Sequence, residues 1–143
     1  MPDIALRQAT AADEEFCFQL HKASLGEYVA ELWGWEDEVQ REHHRRVFVP
    51  ERWRIVTVDG TDAGVLVVEA HPEGWYLGRI ELLPEYQGRG IGGVLIQRLA
   101  DRGTPLHLEV LAVNRRALEF YRRHGFRETG RHAHKIHLRR DPR

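Results

Sequence analysis

The chain has one cysteine, Cys17, so no intrachain disulfide can form and a reducing compartment is expected. Nothing near Cys17 in sequence offers it a base, so it reads as a small apolar residue on a helix face rather than a nucleophile. No apolar run reaches membrane-spanning length, and Met1-Pro2-Asp3-Ile4 lacks signal-peptide character. These absences point to a cytoplasmic protein with no membrane partner. The net charge is only −1, which argues against a dedicated nucleic-acid protein. There is no repeat, linker or low-complexity segment, and 143 residues suffice for one domain, 1–143, with its own core.

Hydrophobic residues at 42% and charged residues at 30% are ordinary for a globular chain, but the charge is unevenly placed. Residues 1–40 hold nine acids against Arg7 and Lys22, while residues 111–143 hold ten Lys/Arg against Glu119, Glu128 and Asp141. Two solvated faces explain this as well as an acidic rim for a cationic amine with a basic flank for an anion.

Ile4–Arg7 reads as a strand. Thr10 with Asp13 three residues later is an imperfect capping box, opening a helix whose buried face would be Phe16, Leu20 and Ala23. A second helix is expected over Glu36–Val47, with the aromatic-rich Tyr28–Trp35 between the two. Strands follow at Trp53–Val58, Ala63–Ala70 and Trp75–Leu83, with Asp59-Gly60 as a turn signal. Next come helix 91–102, strand 106–111, helix 114–124 and strands near 126–130 and 134–139. The order β-α-α-β-β-β-α-β-α-β-β predicts an α/β domain with a mixed central sheet flanked by helices.

Gln87-Gly88-Arg89-Gly90-Ile91-Gly92-Gly93 lies where the strand ending at Pro84 hands over to a helix carrying Ile91, Val94, Leu95 and Leu99. The first amides of a helix have no internal partner and carry partial positive charge. Glycines there let the main chain approach a phosphate, with Arg89 as a side-chain helper. Gly88-x-Gly90-x-x-Gly93 also satisfies a dinucleotide pattern, with Glu109 as the ribose acid. Three features oppose that reading: the intervening Pro84–Gln87, the late position in the chain, and the meander upstream. A Walker loop fails because no Gly-Lys-Ser/Thr follows.

Read as Gln87-x-x-Gly90-x-Gly92, the turn resembles the signature of the GNAT superfamily of acetyl-CoA-dependent N-acetyltransferases. A second segment is similar to the family's later motif: Leu108-Glu109-Val110, Asn114, Ala117, Phe120-Tyr121 and Gly125-Phe126. The Glu109-to-Tyr121 spacing most resembles enzymes that acetylate protein N-termini. The resemblance implies a GNAT-like fold over nearly the whole chain, acetyl-CoA as cosubstrate and an amine as acceptor. Homodimers are common in that family.

By the same resemblance, amides from Gln87 to Gly93 would hold the pyrophosphate and the strand edge at Leu82 and Leu83 would pair with pantetheine. A backbone N–H on that strand would serve the oxyanion, worth about 3 kcal/mol when well placed. Asn114 would contact the cofactor arm, or cap the helix starting at Arg115. Tyr121 matches the general acid, since a phenol titrating near ~10 is protonated at neutral pH. Glu109 and Glu81 compete as base, directly or through water. The need for one depends on the acceptor: deprotonating a lysine-type amine at pH 7 costs roughly 4.6 kcal/mol, an N-terminal amine only about 1 kcal/mol. Tyr28, Trp33 and Trp35 would wall the acceptor pocket, with Glu31, Glu36 and Asp37 beside a cationic group. A non-catalytic acyl-CoA-binding sensor is the alternative. No metal is expected: on a strand His132 and His134 would share a face that His137 does not, adjacent His43 and His44 diverge, and surface positions explain them.

Overall fold

Trp53–Val58 (β2) alternates large apolar residues with Arg54 and Thr57, and Asp59 and Gly60 follow it in left-handed conformations, φ +50° and +83°. Those two dihedrals are what a two-residue hairpin turn with the strands' own twist requires. The chain therefore doubles back into Thr61–His71 (β3), and Trp53 faces Val67 at the far end of the ladder. The computed structural model describes residues 2–142; Met1 and Arg143 lie outside that span.

The remaining elements are β1 (Ile4–Gln8), α1 (Glu14–Trp33), α2 (Asp37–Val47), β4 (Gly74–Leu82), α3 (Ile91–Ala100), β5 (Leu106–Leu111), α4 (Arg115–Arg123), β6 (Arg127–His132) and β7 (Lys135–Arg140). The strands form a seven-stranded sheet in the order β1-β2-β3-β4-β5-β7-β6. Pairing is antiparallel for β1–β2, β2–β3, β5–β7 and β7–β6, and parallel for β4–β5. This is the expected mixed α/β architecture. Among the described residues no βαβαβ unit precedes the glycine turn, and that removes the dinucleotide reading.

The chain packs as two compact units, one running to Val67 and adding Arg79–Arg89, the other made of Val68–Gly78 and the chain from Gly90 onward. In the first, Ala9, Cys17, Leu20, Trp53, Ile55, Val65 and Val67 form a buried cluster with Phe16, Phe48, Val49 and Leu83 against it. Thr10 N–H donates to Asp13 Oδ2 at 2.8 Å, the acid's half of the expected capping box, and Asp13 N–H closes the 3-10 turn on Thr10 C=O at 2.9 Å. Arg7 then bridges Asp13 and Asp62, each at 2.8 Å. In the second unit, α3 buries Ile91, Leu95, Ile96 and Leu99, α4 buries Leu118 and Tyr121, and β5 and β7 bury Leu106, Leu108, Ile136 and Leu138. No helix among the described residues is long and apolar enough to cross a membrane.

Two expectations for α1 change. The helix runs through Tyr28 to Trp33 and stops where Gly34 adopts φ +81°, so most of the aromatic stretch is helical rather than a connection. Its buried residues are Cys17, Phe18 and Leu20, whereas Ala23 is exposed.

Candidate active site

The end of β4 and the turn after it are held by their own main chain. Leu83 N–H donates to Ala63 C=O at 2.9 Å, and Pro84–Tyr86 forms a short 3-10 turn. Gln87 Nε2 then reaches back to Leu82 C=O at 3.0 Å. In an antiparallel strand successive N–H groups point to opposite sides, so Leu82 N–H faces away from β3. Close approach of β3 to β4 explains Gly64, where a Cβ would stand 2.3 Å from Glu81 O.

The four glycines of the turn divide by role. Gly88 and Gly90 have φ of +74° and +80°, and a Cβ on either would meet nothing within 4 Å. Gly92 and Gly93 belong to α3, and they are small because α4 lies against them. A Cβ on Gly92 would sit 2.9 Å from Phe120 Cζ, and one on Gly93 2.7 Å from His124 Cε1. The first bond of the α3 ladder is Val94 N–H to Gly90 C=O, at 3.1 Å. The amides of Ile91, Gly92 and Gly93 therefore lie at the open end of the helix, behind two residues with no side chain. That arrangement suits a diphosphate. Arg89 is exposed, its guanidinium 5.4 Å from the Tyr86 ring centre.

The acids of the two units differ. Glu81, on β4, is 8% exposed, with Oε2 2.7 Å from His21 Nδ1 and Oε1 3.5 Å from Arg79 Nη1. Burial raises the affinity of Glu81 for a proton, but the hydrogen bond from His21 and the charge of Arg79 outweigh it. Its carboxyl stays below the ordinary range. Glu109, on β5, is exposed and accepts from the Tyr76 hydroxyl at 3.2 Å. Burial first, and then the nearby Glu109 charge, push Tyr76 up to about 12.

Asn114 is the N-cap of α4: its side chain accepts from Ala117 N–H at 3.1 Å, satisfying one orphan helix amide. Tyr121, two residues before the end of α4, is buried, with Phe120 and Phe126 ring centres at 5.2 and 5.5 Å. Phe126 N–H returns to Tyr121 C=O at 3.0 Å, so the Phe-Tyr and Gly-Phe parts of the later motif form one closed helix end.

Of the aromatic trio, Trp33 is 58% exposed and Tyr28 half-buried on α1. Trp35 packs at 6.2 Å from the buried Phe18, and its Nε1–H donates to Asp37 at 3.2 Å. Asp37 also takes Lys22 at 2.7 Å and Arg41 at 3.0 Å, so it is an internal tie rather than a free acid.

The histidine expectation needs correction. His44 is buried at 2% exposure, bonded to Glu14 and edge-on to Trp53. His107 is buried as well, its ring stacked 4.4 Å from that of His71 and 5.5 Å from that of His137. His132 and His134 do not share a strand face, since β6 ends at His132 and Ala133 turns with φ +53°. Burial of Cys17 agrees with its reading as an apolar residue. His21 escaped sequence reasoning altogether; the only hint is that it follows Cys17 by one turn on the face that buries Leu20.

A model described as the acetyltransferase (GNAT) family matches residues 10–126. The N-alpha-acetyltransferase RimI of Mycobacterium tuberculosis is 49% identical over 49 residues; the match spans 33% of this chain and 31% of that relative's length. Two solved structures are similar over nearly the whole chain. The PaiA N-acetyltransferase of Thermoplasma acidophilum, in complex with coenzyme A, superposes with a TM-score of 0.76 at 18% identity, covering 97% of this chain and 99% of that one. The ribosomal-protein-S18-alanine N-acetyltransferase of Escherichia coli gives 0.67 at 21% identity, covering 96% and 93%. At these identities the structural likeness speaks for the fold. The extent of the family match, with the glycine turn and the closed α4 end both in place, decides the classification: the chain belongs to the GNAT acetyltransferase family.

Proposed function

We propose that the protein transfers an acetyl group from acetyl-CoA to a primary amine by direct attack. The observation that carries this is the turn from Gln87 to Gly93, where open left-handed glycines precede the free amides of Ile91–Gly93 in a chain of this family. Those amides and Arg89 would hold the diphosphate. Bound there, acetyl-CoA supplies an activated acyl carbon and a thiol leaving group.

The chain's own groups would do the rest. Leu82 N–H, turned away from β3, is the main-chain donor for the carbonyl oxygen of the acyl group, while the N–H of Leu83 is already committed to Ala63. Tyr121 would protonate the departing sulfur. Asn114 fixes the start of the helix that carries Tyr121, and its remaining polar atoms would reach the cofactor arm. Glu81 and Glu109 are the acids available for proton removal. Tyr28, Trp33 and Trp35 would line the acceptor side. The RimI match favours a peptide N-terminus as acceptor, and such an amine needs little help to lose its proton.

The test is thiol release from acetyl-CoA against a panel containing alanine-terminated peptides, polyamines and lysine-type amines, run beside Tyr121→Phe. Acceptor-dependent release that falls about 100-fold in the variant, with coenzyme A affinity unchanged, supports the reading. Tight coenzyme A binding with no release for any acceptor would instead favour an acyl-CoA sensor.

A further inference from the structure

Glu81 is poorly placed to meet a substrate itself. It is buried, and its two oxygens are turned to His21 and Arg79. His21, on α1, is different: its side chain is 21% exposed while its Nδ1 is 2.7 Å from the carboxylate. An ionised carboxylate can only accept, so the Nδ1 must carry the proton and donate it. In the neutral imidazole the Nε2 then keeps its lone pair, oriented by that bond. This is how a buried acid prepares an imidazole to take a proton.

The surroundings hold the ring in place. Arg79 of β4 sits between Glu81 and the Trp53 face, its guanidinium 4.8 Å from that ring centre. From α2, His44 brings its ring centre to 6.3 Å from that of His21, and Glu14 of α1 bonds His44 in turn. Cys17, one turn earlier on α1, is a buried thiol. Glu81 is thus the carboxylate directly bonded to His21, and Arg79 and His44 are the other titratable groups around the pair.

We infer that His21, oriented by Glu81, accepts the proton of the attacking amine. This deepens the acetyltransferase reading and rests on it. The amine nitrogen forms its bond to the acyl carbon, its proton passes to Nε2 of His21, and the C–S bond breaks with its electron pair on sulfur. The sulfur is protonated as it leaves, and His21 returns its proton to water. Glu81 is a positioning residue in this scheme.

His21→Asn keeps an N–H where Nδ1–H stands but has no group that titrates near neutrality. The experiment compares wild type, His21→Asn and His21→Ala by pH–rate profile over the amine panel, by coenzyme A affinity and by thermal unfolding. The expected result for His21→Asn is a kcat about 100-fold lower and loss of the acid limb of the profile, with affinity and melting temperature held. Added imidazole should restore part of the rate of His21→Ala, which a purely structural role would not allow, and this arm serves even if the Asn variant melts early. His21→Asn turning over within twofold of wild type, with the acid limb intact, overturns the inference and leaves the acetyltransferase reading standing. A wild type that releases no thiol with any amine overturns both.

Discussion

Gly92 leaves its place to Phe120: a Cβ added there would stand 2.9 Å from the ring's Cζ, and the ring is itself packed 4.5 Å from His124. Gly92→Ala and Gly93→Ala should therefore each cost about 1–3 kcal/mol, read by urea denaturation, because each added methyl must displace a ring packed against α3. Gly88→Ala meets only the left-handed backbone penalty of about 1 kcal/mol. Gly64→Ala, facing a main-chain oxygen at 2.3 Å, should not give folded protein at all. A reversed order would mean that the turn glycines are kept for something other than packing.

Asn114→Ala removes the acceptor of Ala117 N–H at the start of α4. A loss of about 1 kcal/mol is expected, and Asn114→Asp or Asn114→Ser should recover most of it. If Asn114→Ser is fully stable yet binds coenzyme A several-fold more weakly, the amide has a second duty toward the cofactor.

The sheet and the start of α1 were legible in the sequence, but the second half of α1 was not. Trp53–Val58 and Leu106–Leu111 appear in the structure with the bounds their apolar runs and flanking turn residues suggest. Tyr28–Trp35 misled because dense aromatics were read as a connection, although nothing there breaks a helix before Gly34 turns left-handed. The glycine turn as the start of α3 and Asn114 as a helix cap could be read because both are local features. The His21–Glu81 pair joins residues 60 apart, and no period or spacing announces such a contact. The burial of His44 and His107 was missed for the same reason.

Acid should act on stability in two stages. Burial holds the imidazoles of His44 and His107 below the ordinary 6.5, so the unfolded chain takes up protons first and stability falls as the pH drops below about 6.5. The carboxyls of Asp13 and Glu81 are held below their ordinary 3.8 and 4.5 by Arg7 and by His21 with Arg79, so their contribution is present above those values and is lost below them. Denaturation followed from pH 7 to 3 should show both stages, and His107→Leu should flatten the first. An unchanged upper stage in that variant would refute its assignment.

Cys17 is fully buried, and burial pushes its thiol up to about 12. A disulfide reagent at pH 8 should react with the native protein orders of magnitude more slowly than with the unfolded chain. Labelling would then report opening of the first unit, and inhibitors aimed at a nucleophilic cysteine should leave activity untouched.

The strap from Gln87 to Leu82 C=O shortens the chain's freedom just before the glycines begin. Ordering one loose residue on binding costs about 1–2 kcal/mol, so a seat already fixed spares much of that loss. Pre-organisation of this kind should give coenzyme A a fast on-rate without loop closure, and cutting the strap should slow capture before it alters the chemistry.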